Sequence, residues 1–244
     1  PFDPGRIDGI KDYAKYLHEQ TSYAVVADAP AQGLFEAGCR FRGYDQFLLD
    51  MASNQEFVQA FFEIYLKIMN QFVDAYVGEI GEYIDIIWLG DDVCTQRGPY
   101  ISPQMYRQQV KPYFYEYIQH IKKYTNARIM HHCCGACHSL IPDYLDIGIE
   151  ILNPIQPEAE GMSPQALKEK YGSRMTFHGG IGLQQVLSQG SSQQIVETVK
   201  NTAKVLGKGG GYILAAAHSL PDDVSAENII TMLETAQNLH YPLN

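Results

Sequence analysis

The chain has 244 residues, a formal net charge of −10 and a pI near 5.2. An acidic balance with no dense Lys/Arg cluster excludes a nucleic-acid surface, and no apolar run approaches the roughly 20 residues of a membrane span. The composition is that of a globular protein with a sizeable core, and no linker, low-complexity tract or internal repeat divides it, so one domain over residues 1–244 is expected.

The chain opens Pro1-Phe2-Asp3-Pro4, without Met, as a fragment or a processed chain does. A first β-rich apolar run is Tyr23–Ala27. Residues 54–77 then carry Phe57, Phe61, Phe62, Tyr65, Ile68 and Met69, mostly at three- and four-residue steps, which predicts a helix. A second strand is expected at Ile84–Leu89. A long helix over Pro103–Tyr124 follows, with Tyr106, Val110, Tyr113, Tyr117, Ile118 and Ile121 on one side and Ser102-Pro103 as N-cap and first helical residue. Three more strands are expected at Ala127–His132, Ile149–Asn153 and Met175–Phe177, with Ser163-Pro164 repeating the cap-and-proline signal. Ser191–Leu206 reads as a helix stopped by Gly207, Gly211–Ala217 as the last strand, and Ser225 starts the last helix. Strands alternating with helices mean βαβ units and a parallel sheet. Six strands fit a doubly wound sheet or an incomplete eight-stranded barrel. No Gly-x-Gly-x-x-Gly follows a strand, and the cluster Gly207-Lys208-Gly209-Gly210 precedes one, which speaks against dinucleotide binding.

The segment His131-His132-Cys133-Cys134-Gly135-Ala136-Cys137-His138 concentrates six ligand-type residues in eight. Thiolates and imidazoles at the C-terminal end of a strand suit Zn²⁺, and in α/β folds that end is where active sites lie. The other strand ends agree: Asp28, then Gly90-Asp91-Asp92, Asn153-Pro154-Ile155-Gln156, His178-Gly179-Gly180 and Ala217-His218. Asp91 and Asp92 are candidate general acid–base groups or substrate anchors; strand parity turns one of them, Asp92, inward. Asn153, Gln156, His178 and Tyr100 are candidate substrate contacts, although Asn153-Pro154 is also an ordinary turn and His178 also an ordinary loop histidine. Cys133 points away from its neighbours by alternation, Cys137 reads as core, and His131 and His138 as supporting polar groups. Arg40 and Arg42 read as exposed charges rather than an anion site. The five cysteines, three of them within five residues, do not space like a disulfide framework, so a reducing cytoplasm is expected. No signal peptide is visible.

These motifs together resemble the uroporphyrinogen decarboxylase superfamily, and within it the branch of cobalamin-dependent, zinc-using methyltransferases. The carriers are Leu89-Gly90-Asp91-Asp92, the run Gly98 to Tyr106, His132-Cys133-Cys134-Gly135, Ile151 to Gln156, Leu167-Lys168, Phe177 to Ile181, Gly209 to Leu214 with His218, and Glu227-Asn228-Ile229. The resemblance implies a (β/α)₈ TIM-type barrel lacking its N-terminal strands in this chain. It implies zinc held by a His-x-Cys pair, carried over to His132 and Cys134, and by a later Cys whose place is taken here by His218. It further implies methyl transfer between a corrinoid protein and a small-molecule donor or acceptor. The corrinoid would arrive on that partner, since no Asp-x-His-x-x-Gly occurs here. A homodimer is compatible with this reading. Two rivals stand beside it: a metal-free decarboxylase of porphyrinogens, in which Asp91 or Asp92 stabilises a protonated pyrrole, and a non-catalytic barrel that binds a tetrapyrrole or a partner. The first is weakened because the chain has Gly179-Gly180-Ile181-Gly182 where true decarboxylases carry a Gly-Asn-Leu-Asp-Pro type turn.

Overall fold

A computed structural model describes residues 3–239; residues 1–2 and 240–244 of the expected domain lie outside the described residues. The chain divides into two compact units. One comprises the residues up to Val93 with Ile101–His132 and Pro142–Ile149, the other Cys94–Tyr100, Cys133–Ile141 and the residues from Glu150 onward.

In the first unit, α1 (Ile10–Gln20) precedes β1 (Val26–Ala27), and α2 (Leu34–Arg42), α3 (Tyr44–Ser53) and α4 (Gln55–Ile80) lead to β2 (Ile86–Gly90). The helix α5 (Pro103–Met105), α6 (Lys111–Ile121), β3 (Arg128–His132) and α7 (Ile141–Ile147) follow. β1 pairs with β2 and β2 with β3, both parallel, with Trp88 opposite Met130 and Gly90 opposite His132. α4 forms because Val58, Phe62, Leu66, Met69, Val73, Val77 and Ile80 recur on one face and are all buried. Each large side chain removed from water there contributes roughly 1.5–3 kcal/mol. Asn54 caps the helix by accepting the Phe57 N–H.

The helix expected over 103–124 is not continuous. A π-helical turn, Tyr106–Val110, separates α5 from α6, which ends at Ile121. Pro112 has no N–H to give the carbonyl of Gln108, so a regular α-ladder cannot run through it, and the wider turn absorbs the mismatch.

The second unit holds β4 (Ile151–Ile155), α8 (Pro164–Tyr171), β5 (Thr176–Ile181), α9 (Ser192–Leu206), β6 (Tyr212–Ala216) and α10 (Ala226–Gln237). β5 pairs in parallel with both β4 and β6. Its outer core gathers Ile181, Leu187, Ile195, Val199, Val224 and Met232. Ser191 and Gln194 close a reciprocal capping box on α9. Two strands run further than expected. β5 continues to Ile181, so His178 stands within it rather than after it. β4 continues to Ile155, so Asn153-Pro154 lies inside a strand. The β4–β5 register shifts between Leu152 and Ile155, an irregularity that suits a residue unable to donate to the ladder.

The fold is therefore α/β, with six strands among the described residues and parallel pairing within each unit. The remaining two strands of the expected eight are not among them. No helix of the described residues is long and apolar enough to cross a membrane.

Candidate functional site: a His/Cys/His cluster at the strand ends

Alternation along β3 separates two adjacent histidines. His131 is 1% exposed and wedged between Tyr144 and Phe114, with ring centroids 4.7 and 5.0 Å away. It is a core residue. His132 stands on the other face, shared with Trp88 of β2. The indole is edge-on to its imidazole at 5.5 Å, and Nε2 lies 3.8 Å from Asp92 Oδ1.

Beyond β3 the same two-way split continues among the cysteines. Cys133 is fully buried, and its N–H donates to the Asn153 carbonyl at 2.8 Å. Cys134 is half-buried. Cys137 is fully buried, 4.0 Å from the Met162 sulfur. A hydrogen bond with the Cys133 sulfur, and then burial, push its thiol well above the ordinary range. Cys133 and Cys137 thus belong to a sulfur-lined core, and Cys134 faces outward between them. None of the five cysteines is in a disulfide.

The loop that presents Cys134 is fixed by its neighbours. Gly135 has φ +85°, and a Cβ there would stand 2.3 Å from the Thr95 carbonyl oxygen, so only glycine fits. Its N–H donates to Gln156 Oε1 at 2.9 Å, and Ala136 N–H donates to the Thr95 carbonyl at 2.8 Å. Gln156 Oε1 also accepts from Gln96 Nε2 at 3.2 Å. Gln156, read from sequence as a substrate contact, ties the loop down.

Among the described residues, one group of three side chains could hold a metal ion: His132, Cys134 and His218. One ligand atom from each lies within 4.8 Å of the others. His132 and Cys134 are half-buried and His218 is exposed, so water and a small molecule can reach the cluster. One thiol and two imidazoles make a donor set that fits Zn²⁺ in a tetrahedral site with one position open.

The two aspartates after β2 diverge. Asp91 is 3% exposed, and its carboxylate accepts the N–H groups of Phe35 (3.0 Å) and Glu36 (2.8 Å) at the start of α2. A carboxylate there satisfies orphan donors and meets the positive end of the helix. Gly33 permits this, since a Cβ would stand 2.3 Å from the Asp91 Cβ. Asp92 lies beside His132 instead, its Oδ1 3.8 Å from Nε2.

Of the other sequence candidates, Asn153 is buried and its Nδ2 is 2.6 Å from His178 Nδ1. Tyr100 is exposed and follows Pro99, which bridges to Cys94. Arg40 pairs with Glu36 and Arg42 with Asp50, each at 2.8 Å. His138 Nδ1 is 3.2 Å from the Glu160 carbonyl. Trp88 escaped the sequence reading, although its place two residues before Gly90 on β2 puts it on the His132 face by alternation.

A sequence model of the uroporphyrinogen decarboxylase (URO-D) family matches residues 5–239. None of the curated proteins matches. Among solved structures, a methyltransferase from Methanosarcina mazei is similar, with a TM-score of 0.71 at 19% sequence identity. The match covers 95% of this chain and 64% of that protein, so this chain spans less than two thirds of its length.

Proposed function

Because the chain belongs to the uroporphyrinogen decarboxylase family, we propose that it is a methyltransferase of that superfamily. In this reading it moves a methyl group between a corrinoid protein and a small-molecule donor or acceptor, with zinc held by His132, Cys134 and His218. The observation that carries it is the convergence of these three ligand atoms within 4.8 Å. The methyltransferase of similar fold supports it.

Zn²⁺, when bound, supplies a Lewis acid that lowers the pKa of a coordinated thiol or other acceptor, so that the nucleophilic anion forms near neutral pH. The chain's own residues do the rest. Cys134 gives up its thiol proton as it becomes a ligand, and both histidines bind in their neutral form. His218, where the resembled enzymes carry a cysteine, makes the donor set less anionic by one charge. The Asn153 amide donates to His178 Nδ1 and so fixes the orientation of the ring. Asn153 and His178 together form the substrate-binding pair of this proposal, and Tyr100 is a further, exposed substrate contact in it. Gln156 acts through the loop. Asp91, spent on α2, is set aside as a proton carrier.

The corrinoid comes on a partner protein, the six strands are part of a (β/α)₈ barrel, and the protein works in the cytoplasm. Metal-free decarboxylation is the rival, favoured by the family's own description. Elemental analysis of untagged protein beside Cys134→Ser separates the two. About one zinc per chain, lost in the variant, supports the methyltransferase. No zinc after purification without chelator, and none taken up on addition, sinks it.

A further inference from the structure

Asp92 is the carboxylate beside a proposed ligand. Its Oδ1 is 3.8 Å from His132 Nε2. The His132 ring is confined on another side by the Trp88 indole, edge-on at 5.5 Å. The backbone holds the group together as well, since the Asp91 N–H donates to the His132 carbonyl at 3.0 Å and Gly90 lies opposite His132 in the β2–β3 register. A Cβ on Gly90 would be only 3.5 Å from the His132 Cβ, so the glycine leaves the imidazole room beside its neighbour strand. The Asp92 side chain is 34% exposed, and movement of the carboxylate by about 1 Å closes the contact to a hydrogen bond.

We propose that Asp92 is a positioning residue for His132. Its carboxylate accepts from one ring nitrogen and thereby orients the imidazole, leaving the lone pair of the other nitrogen for a metal. A histidine ligand held by a carboxylate is both better oriented and more basic. The proposal rests on the metal reading given above. It competes with a simpler role, in which Asp92 only belongs to the surface charge around Arg40, whose pKa is raised first by its hydrogen bond to Glu36 and least by Asp92.

The test is zinc affinity, measured by competition with a chromophoric chelator, for the wild-type protein and for Asp92→Ala, Asp92→Asn and Arg40→Ala. Asp92→Ala should weaken zinc binding roughly 10- to 100-fold, the usual cost of losing such a partner. Asp92→Asn, whose amide oxygen still accepts, should recover part of that loss, and Arg40→Ala should leave the affinity unchanged. The thermal midpoint of the metal-free protein should be the same for Asp92→Asn and wild type, and the visible spectrum of the cobalt-loaded protein should differ between them. Equal zinc affinity within twofold for wild type and both Asp92 variants overturns the positioning role while leaving the zinc site standing. A wild-type protein that takes up no zinc overturns both.

Discussion

The side-chain amide of Asn153 and the ring of His178 meet nitrogen to nitrogen, 2.6 Å apart. An amide nitrogen only donates, so His178 Nδ1 must accept and the ring proton must sit on Nε2. Nitrogen-resolved NMR of labelled histidine should find His178 as the neutral Nε2–H form near pH 7.5. Asn153→Asp replaces the donor by an acceptor, pulls a proton onto Nδ1 and should raise the pKa of the ring. A His178 that keeps its proton on Nδ1 in the wild-type protein would contradict the assignment.

Asp91 should behave as a structural group. Asp91→Ala leaves the Phe35 and Glu36 N–H groups at the buried start of α2 without their acceptor and should cost about 2–3 kcal/mol in urea unfolding. Gly33→Ala should cost on the order of 1–3 kcal/mol, because its Cβ would meet the Gly90 carbonyl oxygen at 2.4 Å as well as Asp91. Zinc uptake per folded chain should survive both changes.

The cysteines should differ sharply towards alkylation. Cys134 is half-buried and the other four are buried. Burial, with the charges of Asp91 and Glu36 behind it, pushes the Cys39 thiol up to about 12. Iodoacetamide at pH 7.5, read by peptide mass spectrometry, should label Cys134 first, and added zinc should protect it. Labelling of Cys133 or Cys137 ahead of Cys134 would reverse the inward and outward assignment of this loop.

Asp143 should carry part of the acid sensitivity. Its side chain is 4% exposed, and Arg107 and Lys111 both reach it at 2.9 Å. Burial alone would raise its pKa, but hydrogen bonds from Arg107 and Lys111 outweigh that and hold the carboxyl below its usual range. A group with a depressed folded-state pKa contributes stability above its unfolded value, near 4, and loses it as the pH falls from there through the folded value. Asp143→Asn should therefore lower the thermal midpoint at pH 6, and the gap to wild type should narrow below pH 4.

Most of the strand–helix order was legible because periodicity reports burial, and the buried faces of α4, α9 and the strands are apolar and regular. α1 was not, since Ala14 is its single buried residue among those described and its sequence is largely polar. α2 and α3 were missed because they are short and joined through Gly43 alone, at φ +86°. The metal candidates could be read from ligand density at a strand end. The pairing of Asp92 with His132 and the tying role of Gln156 could not, because both depend on contacts between segments far apart in sequence. His178 was placed after a strand because Gly179-Gly180 looks like a terminator; the strand passes through both glycines, each at positive φ.

Trp88 is the sole tryptophan in the chain, and it stands against the ring of His132. The protein's indole emission therefore originates beside that histidine. A paramagnetic ion arriving at the cluster should quench this fluorescence, and a stopped-flow trace could time the event without any attached dye. Denaturation followed by the same signal would report the opening of β2 and β3, so local loosening there can be told apart from the overall loss of helix followed by circular dichroism.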